Sequence, residues 1–222
     1  MKVNIAIDGP SGVGKSTVSK EIAKRLKYTF INSGSVYRAI AKNVIDKGID
    51  TRDVEGVLKT LETGMIKLYE DDKIELHGVD ISHQIRADYI SQITPNIAKI
   101  QEVREYVVDF IQHMTKKRKG YIIDGRDTTF KIMPHAEVKI FLWADPEERA
   151  TRRMLQNQEL GYNTSYNEVL YDVKKRDEQD MNREVDPLHK TEDSVYIDCT
   201  NLSIEEVIQR IISIVDSKLI KE

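Results

Sequence analysis

One cysteine in 222 residues leaves no intrachain disulfide framework, and Cys199, close to the last apolar run, reads as a small buried side chain rather than a nucleophile. Basic excess is missing as well. The formal net charge is -3, and the one dense basic block, Lys116-Lys117-Arg118-Lys119, reads as the capped end of a helix, so no nucleic-acid partner is expected. No apolar run approaches the roughly 20 residues of a membrane span. The stretch Ile204 to Ile220 is amphipathic, with Gln209, Arg210 and Asp216 interspersed, so no membrane attachment is expected. The chain enters a strand almost at once, without a charged, apolar, small-residue leader, and a cytoplasmic location is expected. His77, His83, His113, His135 and His189 lack metal-ligand spacing and read as surface or packing residues; Trp143 reads as core. Internal repeats and low-complexity tracts are absent, which removes solenoid and disordered readings.

What is present begins with Gly9-Pro10-Ser11-Gly12-Val13-Gly14-Lys15-Ser16-Thr17, which fits G-x-x-x-x-G-K-[ST]. The apolar run Val3-Asn4-Ile5-Ala6-Ile7-Asp8 precedes it, and Val18 to Leu26 follows as a helix with Val18, Ile22, Ala23 and Leu26 on one face. Strand, loop and helix in that order predict a nucleoside triphosphate site. Loop N–H groups and the helix N-terminus surround the anion, Lys15 supplies a full charge, and Ser16 is the expected Mg²⁺ ligand.

Strand-like runs at Val3 to Ile7, Tyr28 to Ile31, Tyr121 to Ile123, Val138 to Leu142 and Val195 to Ile197 alternate with helical patterns, which predicts a parallel α/β sheet. Ligands in such sheets sit at the carboxyl ends of strands. That edge would carry Asp8, Asn32-Ser33-Gly34, Asp124-Gly125-Arg126-Asp127, Ala144-Asp145 and Asp198-Cys199-Thr200. Helix starts are marked by Asp145-Pro146-Glu147-Glu148 and by capping boxes at Ser165/Glu168 and Ser203/Glu206. Gly48 is expected to close the helix beginning near Ser35. Gly120 is expected to close the long helix through Val103, Val107 and Ile111, with Pro95 interrupting the pattern before it. Residues 65–77 alternate about a turn at Asp71-Asp72 and read as a β-hairpin, so about 60–92 is expected to be an inserted unit able to grip a second substrate, within a single domain spanning 1–222.

Arg38 and Arg126 lie just beyond strand ends, where forked guanidinium groups would bind a phosphate bidentately. Arg176, Asp180 and Arg183 fall at i, i+4 and i+7 on one helix face; spacing alone leaves open whether this is a solvated ion-pair ladder. Arg149, Arg152 and Arg153, ahead of Gly161-Tyr162-Asn163-Thr164, suit a basic lid at about 149–165, since phosphoryl transfer needs positive charge brought to the migrating group and water kept out.

With Asn32-Ser33-Gly34-Ser35-Val36-Tyr37-Arg38, Asp124-Gly125-Arg126-Asp127, Glu148-Arg149-Ala150-Thr151-Arg152-Arg153 and Arg176-Asp177-x-x-Asp180-x-x-Arg183 following the phosphate loop in order, the chain resembles the bacterial cytidylate kinases over nearly its whole length. The resemblance implies a P-loop three-layer α/β fold with a parallel core at about 1–59 and 93–222, a small β-rich monophosphate-binding insert, and a helical lid. It implies phosphorylation of CMP and dCMP by ATP with Mg²⁺, by a monomer. Lys15 and the loop Gly9 to Thr17 would hold the ATP phosphates and Asp198-Cys199-Thr200 the adenine side. Arg38, Arg126 and Arg183 would clamp the CMP phosphate in the S-G-x-x-Y-R setting of Ser33 and Tyr37, Arg176 and Asp180 would face the ribose, and Arg104 and Asp127 would read the base. Lys15, Arg152 and Arg153 would stabilise the transferring phosphoryl, and an acceptor that is already ionised requires no general base.

Two positions depart from the family pattern. Pro95 stands where a serine usually faces the base, leaving Thr94 or Asn96 as substitutes, and Thr128-Thr129 stands where an apolar residue and glycine commonly follow D-G-R-D. The alternatives are another P-loop nucleotide kinase acting on UMP or dTMP, a GTP-dependent switch, which would need an N-K-x-D reader that is absent, and a non-catalytic ATP-binding module, which would lack the acceptor-site arginines that are present here.

Overall fold

The computed structural model describes residues 1–69, 73–159 and 161–220. Among them the chain runs β1 (Ile5–Asp8), α1 (Lys15–Leu26), β2 (Thr29–Asn32), α2 (Ser33–Asp46), α3 (Val54–Leu58), β3 (Ile66–Leu68), β4 (Ile74–Leu76), β5 (Val79–Asp80), α4 (Asp88–Ala98), α5 (Gln101–Lys117), β6 (Tyr121–Gly125), β7 (Val138–Trp143), α6 (Pro146–Glu159), α7 (Tyr166–Asn182), β8 (Val195–Asp198) and α8 (Ile204–Leu219).

All five expected core strands form, and they pair in parallel in the order β2-β6-β1-β7-β8. Both faces of this sheet are covered, so side chains alternate between two cores rather than between core and water. Ile5 and Ile7 of β1 point into one cluster with Val18, Ile22, Val207 and Ile211 from α1 and α8. Ala6 and Ile123 join the opposite cluster with Ile40, Ile97, Val103 and Val107 from α2, α4 and α5. Each fully buried isoleucine adds about 1.5–3 kcal/mol of hydrophobic stabilisation. A third, smaller cluster of Ala150, Val169 and Val173 joins α6 to α7.

The register sets the site. Asp8 stands opposite Gly125 and Phe141, Asn32 opposite Asp124, and Trp143 opposite Asp198. The carboxyl ends of the five strands all lie on the same side of the sheet, stepping outward from β2 to β7 and β8, and the segments that follow them gather along one edge.

A second, antiparallel sheet holds β3, β4 and β5, with Ile66 opposite Leu76 and Leu68 opposite Ile74 as the alternation requires. The turn expected at Asp71-Asp72 lies outside the described residues. Ile66, Ile74 and Leu76 pack into the α2 side of the main core. Both capping boxes are present, with Ser165 and Ser203 accepting from the Glu168 and Glu206 amides.

Two punctuation expectations are corrected. Pro95 does not break a helix but lies inside α4. Ile90 and Ile97, both fully buried, anchor the helix on either side of it, and their packing outweighs the amide bond that proline cannot make. Gly120 does not cap α5, which ends at Lys117 with Arg118 already extended. Its φ of 95° instead serves the turn into β6, where its carbonyl accepts from the Thr29 amide at 2.8 Å. Gly48 closes α2 as expected, its amide bonding the Ile45 carbonyl at 2.8 Å. Among the described residues no helix is long and apolar enough to cross a membrane.

Candidate active site

The loop from Gly9 to Gly14 leaves the middle strand of the sheet and opens α1 with Gly14 as its N-cap. Gly9 has φ 152°, and a Cβ there would lie 2.2 Å from the Leu142 carbonyl oxygen, so only glycine fits between β1 and β7. Lys15 Nζ donates to the carbonyls of Gly9 and Pro10, each at 2.7 Å, and holds the loop closed. Burial, and then the charge of Arg126, pull this ammonium well below its usual range, against Asp124, Asp8 and Asp180. An arriving triphosphate removes that conflict.

The Ser16 hydroxyl donates to the carboxylate of Asp124 at the end of β6. This juxtaposition of hydroxyl and carboxylate oxygens suits a hard divalent cation, and Asp124 is the partner that sequence reading placed at the edge without giving it a role. The G-x-x-x-x-G-K-[ST] pattern does not signal it; only the parallel pairing of β1 and β6 brings the two side chains together. Among the described residues no cluster of three His, Cys, Asp or Glu side chains could hold a metal unaided.

Across the edge lies a row of guanidinium groups. Arg126 Nε donates to Asp180 Oδ2 at 2.6 Å, which bridges β6 to α7. Arg176, whose side chain is exposed on α7, has its charge disfavoured by desolvation and then by Arg126, with Arg38 and Arg153 adding to the effect and Asp180 opposing it. Four arginines from four separate segments therefore feel one another in one place. Such an arrangement suits the reception of an anion. The i, i+4, i+7 set is accordingly not a solvated ladder: Asp180 turns inward to Arg126.

Deeper in the same edge, Arg104 of α5 pairs with Asp127 through a short contact and with Asp186 at 3.2 Å. Arg183 lies 3.5 Å from Asp127 and donates through Nε to the Asp186 carbonyl at 2.7 Å. Burial works against the Arg104 charge, but Tyr37, Asp127 and Asp186 outweigh it and hold the guanidinium protonated. Burial also raises the Asp127 carboxyl, against the pull of both arginines. The Tyr37 phenol, pushed up to about 12 by burial, has no hydrogen-bond partner among the described residues and faces this cluster. Asp186, which the sequence did not single out, has φ 48°, a left-handed backbone that turns its carbonyl and carboxylate toward two different arginines. Ser33 Oγ donates to the Asp124 carbonyl at 3.1 Å, so Ser33 lines the seam between the two halves.

Both substitutes suggested for the missing serine spend one donor inside the protein and keep their acceptor oxygens. Thr94 donates to the Ile90 carbonyl at 2.6 Å, and Asn96 donates to Thr51 Oγ1 at 3.3 Å. Thr128 and Thr129 open a single π-helical turn, and both amides and the Thr129 hydroxyl donate to Asp8 at 2.7–2.8 Å. That clamp ties the Asp127 segment to the residue preceding the phosphate loop.

The arginines of α6 separate into three roles. Arg153 is exposed and acts electrostatically on Arg176. Arg152 donates to the Cys199 carbonyl at 2.9 Å and to Glu148 at 2.9 Å, so its guanidinium holds the Asp198–Thr200 loop rather than lying over the phosphate loop. Arg149, expected in a basic lid, has no exposed surface and is not a lid cation at all. The Asp198–Thr200 loop is fixed further by Thr200 Oγ1, which accepts from the Asp145 amide at 3.1 Å. Burial raises the Cys199 thiol to about 11, in keeping with a packing role. Trp143 is half-buried, with the Arg149 guanidinium over its ring.

The family described as Cytidylate kinase matches residues 5–217 of this chain. A cytidylate kinase of Mycoplasmopsis synoviae (strain 53) is 61% identical over 97% of this chain and 99% of its own length. One from Mycoplasmopsis agalactiae (strain NCTC 10123 / CIP 59.7 / PG2) is 52% identical over 98% and 99%. Among solved structures, an uncharacterized protein from Eubacterium ventriosum ATCC 27560 shares the fold at a TM-score of 0.57 and 17% identity, covering 98% of this chain and 99% of that one. A phosphate loop facing a crowd of arginines, in a sequence matched from the first strand to the last helix, makes this chain a member of the cytidylate kinase family.

Proposed function

We propose that this chain transfers the terminal phosphoryl group of ATP to CMP and dCMP. The observation that carries the reading is the gathering of Arg38, Arg126 and Arg153 around Arg176, with Arg126 bonded to Asp180 and its charge felt at the buried Lys15. Guanidinium groups from several segments, brought this near a polyphosphate cradle, offer forked donors to a second anion.

In this reading the amides of Gly9 to Thr17 and the Lys15 ammonium hold the donor phosphates. Thr200 and its neighbours Asp198 and Cys199 flank the adenine. Ser16, with Asp124 beside it, would hold Mg²⁺, which supplies charge neutralisation on the donor phosphates. Arg38, Arg126 and Arg183 clamp the acceptor phosphate, with Ser33 at its margin, and Arg176 and Asp180 turn to the ribose. Asp127, held by Arg104, accepts from the cytosine amino group and repels the uracil carbonyl oxygen at the same place, while the Tyr37 hydroxyl is free to add a bond to the acceptor. An acceptor phosphate already ionised attacks without a base, so the protein contributes alignment and positive charge. Lys15 and Arg153 supply that charge; Arg152 joins them after exchanging its carbonyl contacts. The small apolar seam between α6 and α7 suits movement of the lid expected at about 149–165 relative to its anchored first residue, Arg149, and residues 60–69 and 73–92 stand as the wall on the acceptor side. We further infer a cytoplasmic monomer that uses no nucleic acid.

A coupled ADP-release assay with CMP, dCMP, UMP, GMP and AMP tests this directly. CMP and dCMP should exceed the others by tenfold or more in kcat/KM; UMP outperforming CMP discards the assignment of Asp127.

A further inference from the structure

Among the largest fully buried side chains, one is an arginine. Arg149, on the first turn of α6, spends its donors on three segments remote from one another. Nε donates to the Ala144 carbonyl at the end of β7 at 2.8 Å. Nη1 donates to the Ser11 carbonyl of the phosphate loop at 2.8 Å and to Asp177 Oδ1 of α7 at 2.9 Å, and Nη2 meets Asp177 Oδ2 in a short contact. The Trp143 ring closes one face of the guanidinium at 5.7 Å, and the Arg149 stem packs 3.6 Å from where a Cβ on Gly12 would be.

Nothing in the chemistry of phosphoryl transfer needs a cation there, because the charge is consumed by Asp177 and no surface remains for a nucleotide. Nor does fold stability demand it, since a buried ion pair is often replaceable by apolar side chains of similar volume without loss. What a fork of donors achieves, and an apolar pair cannot, is a fixed angle between the segments it bridges. Those segments matter. Ser11 belongs to the donor cradle. Asp177 adjoins Arg176 and lies one helical turn from Asp180, whose carboxylate holds Arg126. Slippage of α7 by a single residue would break the contact to Arg149 and the contact to Arg126 together.

We propose that Arg149 is a positioning residue for phosphoryl transfer: through Ser11 and Asp177 it holds the donor loop and the acceptor-bearing helix α7 in one frame, without touching either nucleotide. The proposal rests on the kinase reading above and deepens it. Loss of the fork leaves each cradle able to bind its own ligand but misaligned with the other, so the cost falls on kcat.

The test compares wild type with Arg149→Lys, Asp177→Asn and the apolar double variant Arg149→Met/Asp177→Leu. Three quantities are measured for each: melting temperature, equilibrium binding of ATP alone and CMP alone, and steady-state turnover. Lysine keeps the charge but cannot reach three segments at once. The expected result is a kcat lowered about 100-fold in all three variants, with each single-nucleotide dissociation constant within about threefold of wild type. The double variant should also melt within about 5 °C of wild type while its kcat stays low. Turnover within threefold of wild type in the double variant overturns the proposal. So does a loss confined to ATP or CMP binding with kcat intact, or failure of even the two conservative variants to melt cooperatively, which makes the pair fold cement only. A wild type inert with every monophosphate overturns the kinase reading along with it, whereas an active wild type with fully active variants overturns this proposal alone.

Discussion

Replacing Gly9 by alanine should be the most damaging single methyl addition in the phosphate loop, and its size follows from two features of the site. The new Cβ would sit 2.2 Å from the Leu142 carbonyl oxygen and 3.2 Å from its carbon. Backbone atoms in two paired strands cannot swing aside like a flexible side chain, so β1 and β7 must part by roughly 0.8 Å at their ends, an overpacking cost of about 1–3 kcal/mol. The φ of 152° adds a backbone cost of about 1–3 kcal/mol for any residue with a side chain. Together these come to about 4 kcal/mol, or a Tm lower by about 8–16 °C in a chain of this size. Gly12→Ala is the matched control. It also has positive φ, at 76°, but its nearest neighbour is the Arg149 Cβ at 3.6 Å, so only the backbone cost applies and Tm should fall by about 2–8 °C. Because the Gly9 and Pro10 carbonyls hold Lys15, Gly9→Ala should also lower kcat/KM for ATP more than tenfold. Differential scanning calorimetry of the two variants decides the matter: equal drops, or a Gly9→Ala protein melting within 3 °C of wild type, would refute this account of the loop.

Arg183→Ala should raise the KM for CMP at least tenfold and leave the KM for ATP within about twofold, because the side chain meets Asp127 and the Asp186 carbonyl but nothing of the donor loop; an unchanged CMP dependence would return Arg183 to a purely structural role. Asp127→Asn should cut the preference for CMP over UMP at least tenfold, since an amide can donate to the uracil oxygen as well as accept from the cytosine amine, and retained selectivity would place base reading elsewhere. For Lys15 the sign of the pH effect is set by burial and Arg126, which depress its pKa in the free protein. A triphosphate raises it again, so between the two values ATP binding takes up a proton and ATP affinity falls as pH rises through that window. Calorimetric titrations of ATP in buffers of different ionisation enthalpy read the uptake directly, and proton release on the alkaline side would contradict the assignment.

Most of what the sequence disclosed was local. The run Ile5 to Asp8, the glycines and Lys15 announce a strand, a loop and a helix within a short window, and the capping boxes at Ser165 and Ser203 fix helix starts by a four-residue rule. The hairpin pairing of Ile66 with Leu76 followed from alternation alone. What escaped was set by tertiary packing. Pro95 sits within α4 because Ile90 and Ile97 are buried on either side of it, information that no propensity contains. The short elements α3 and β5 carry too few residues for a periodic signal. Arg149 looked like one more cation on a basic helix face, and only the approach of Ser11 and Asp177 from distant segments turns it inward. Asp186 was invisible for a similar reason: its left-handed backbone and its hold on Arg104 arise after α7 ends. The motif series named the candidate residues, and the structure shows which partners each one meets.

Two anion cradles facing each other at one sheet edge should accept a single molecule that carries both nucleotides. Isothermal titration with adenosine and cytidine joined through a chain of five phosphates measures this directly. The expected result is one site per chain, a Kd at least 100-fold below that of ATP or CMP alone, and displacement of either nucleotide. A linked compound that binds no more tightly than ATP, or that displaces only one of the two nucleotides, would contradict a shared cleft.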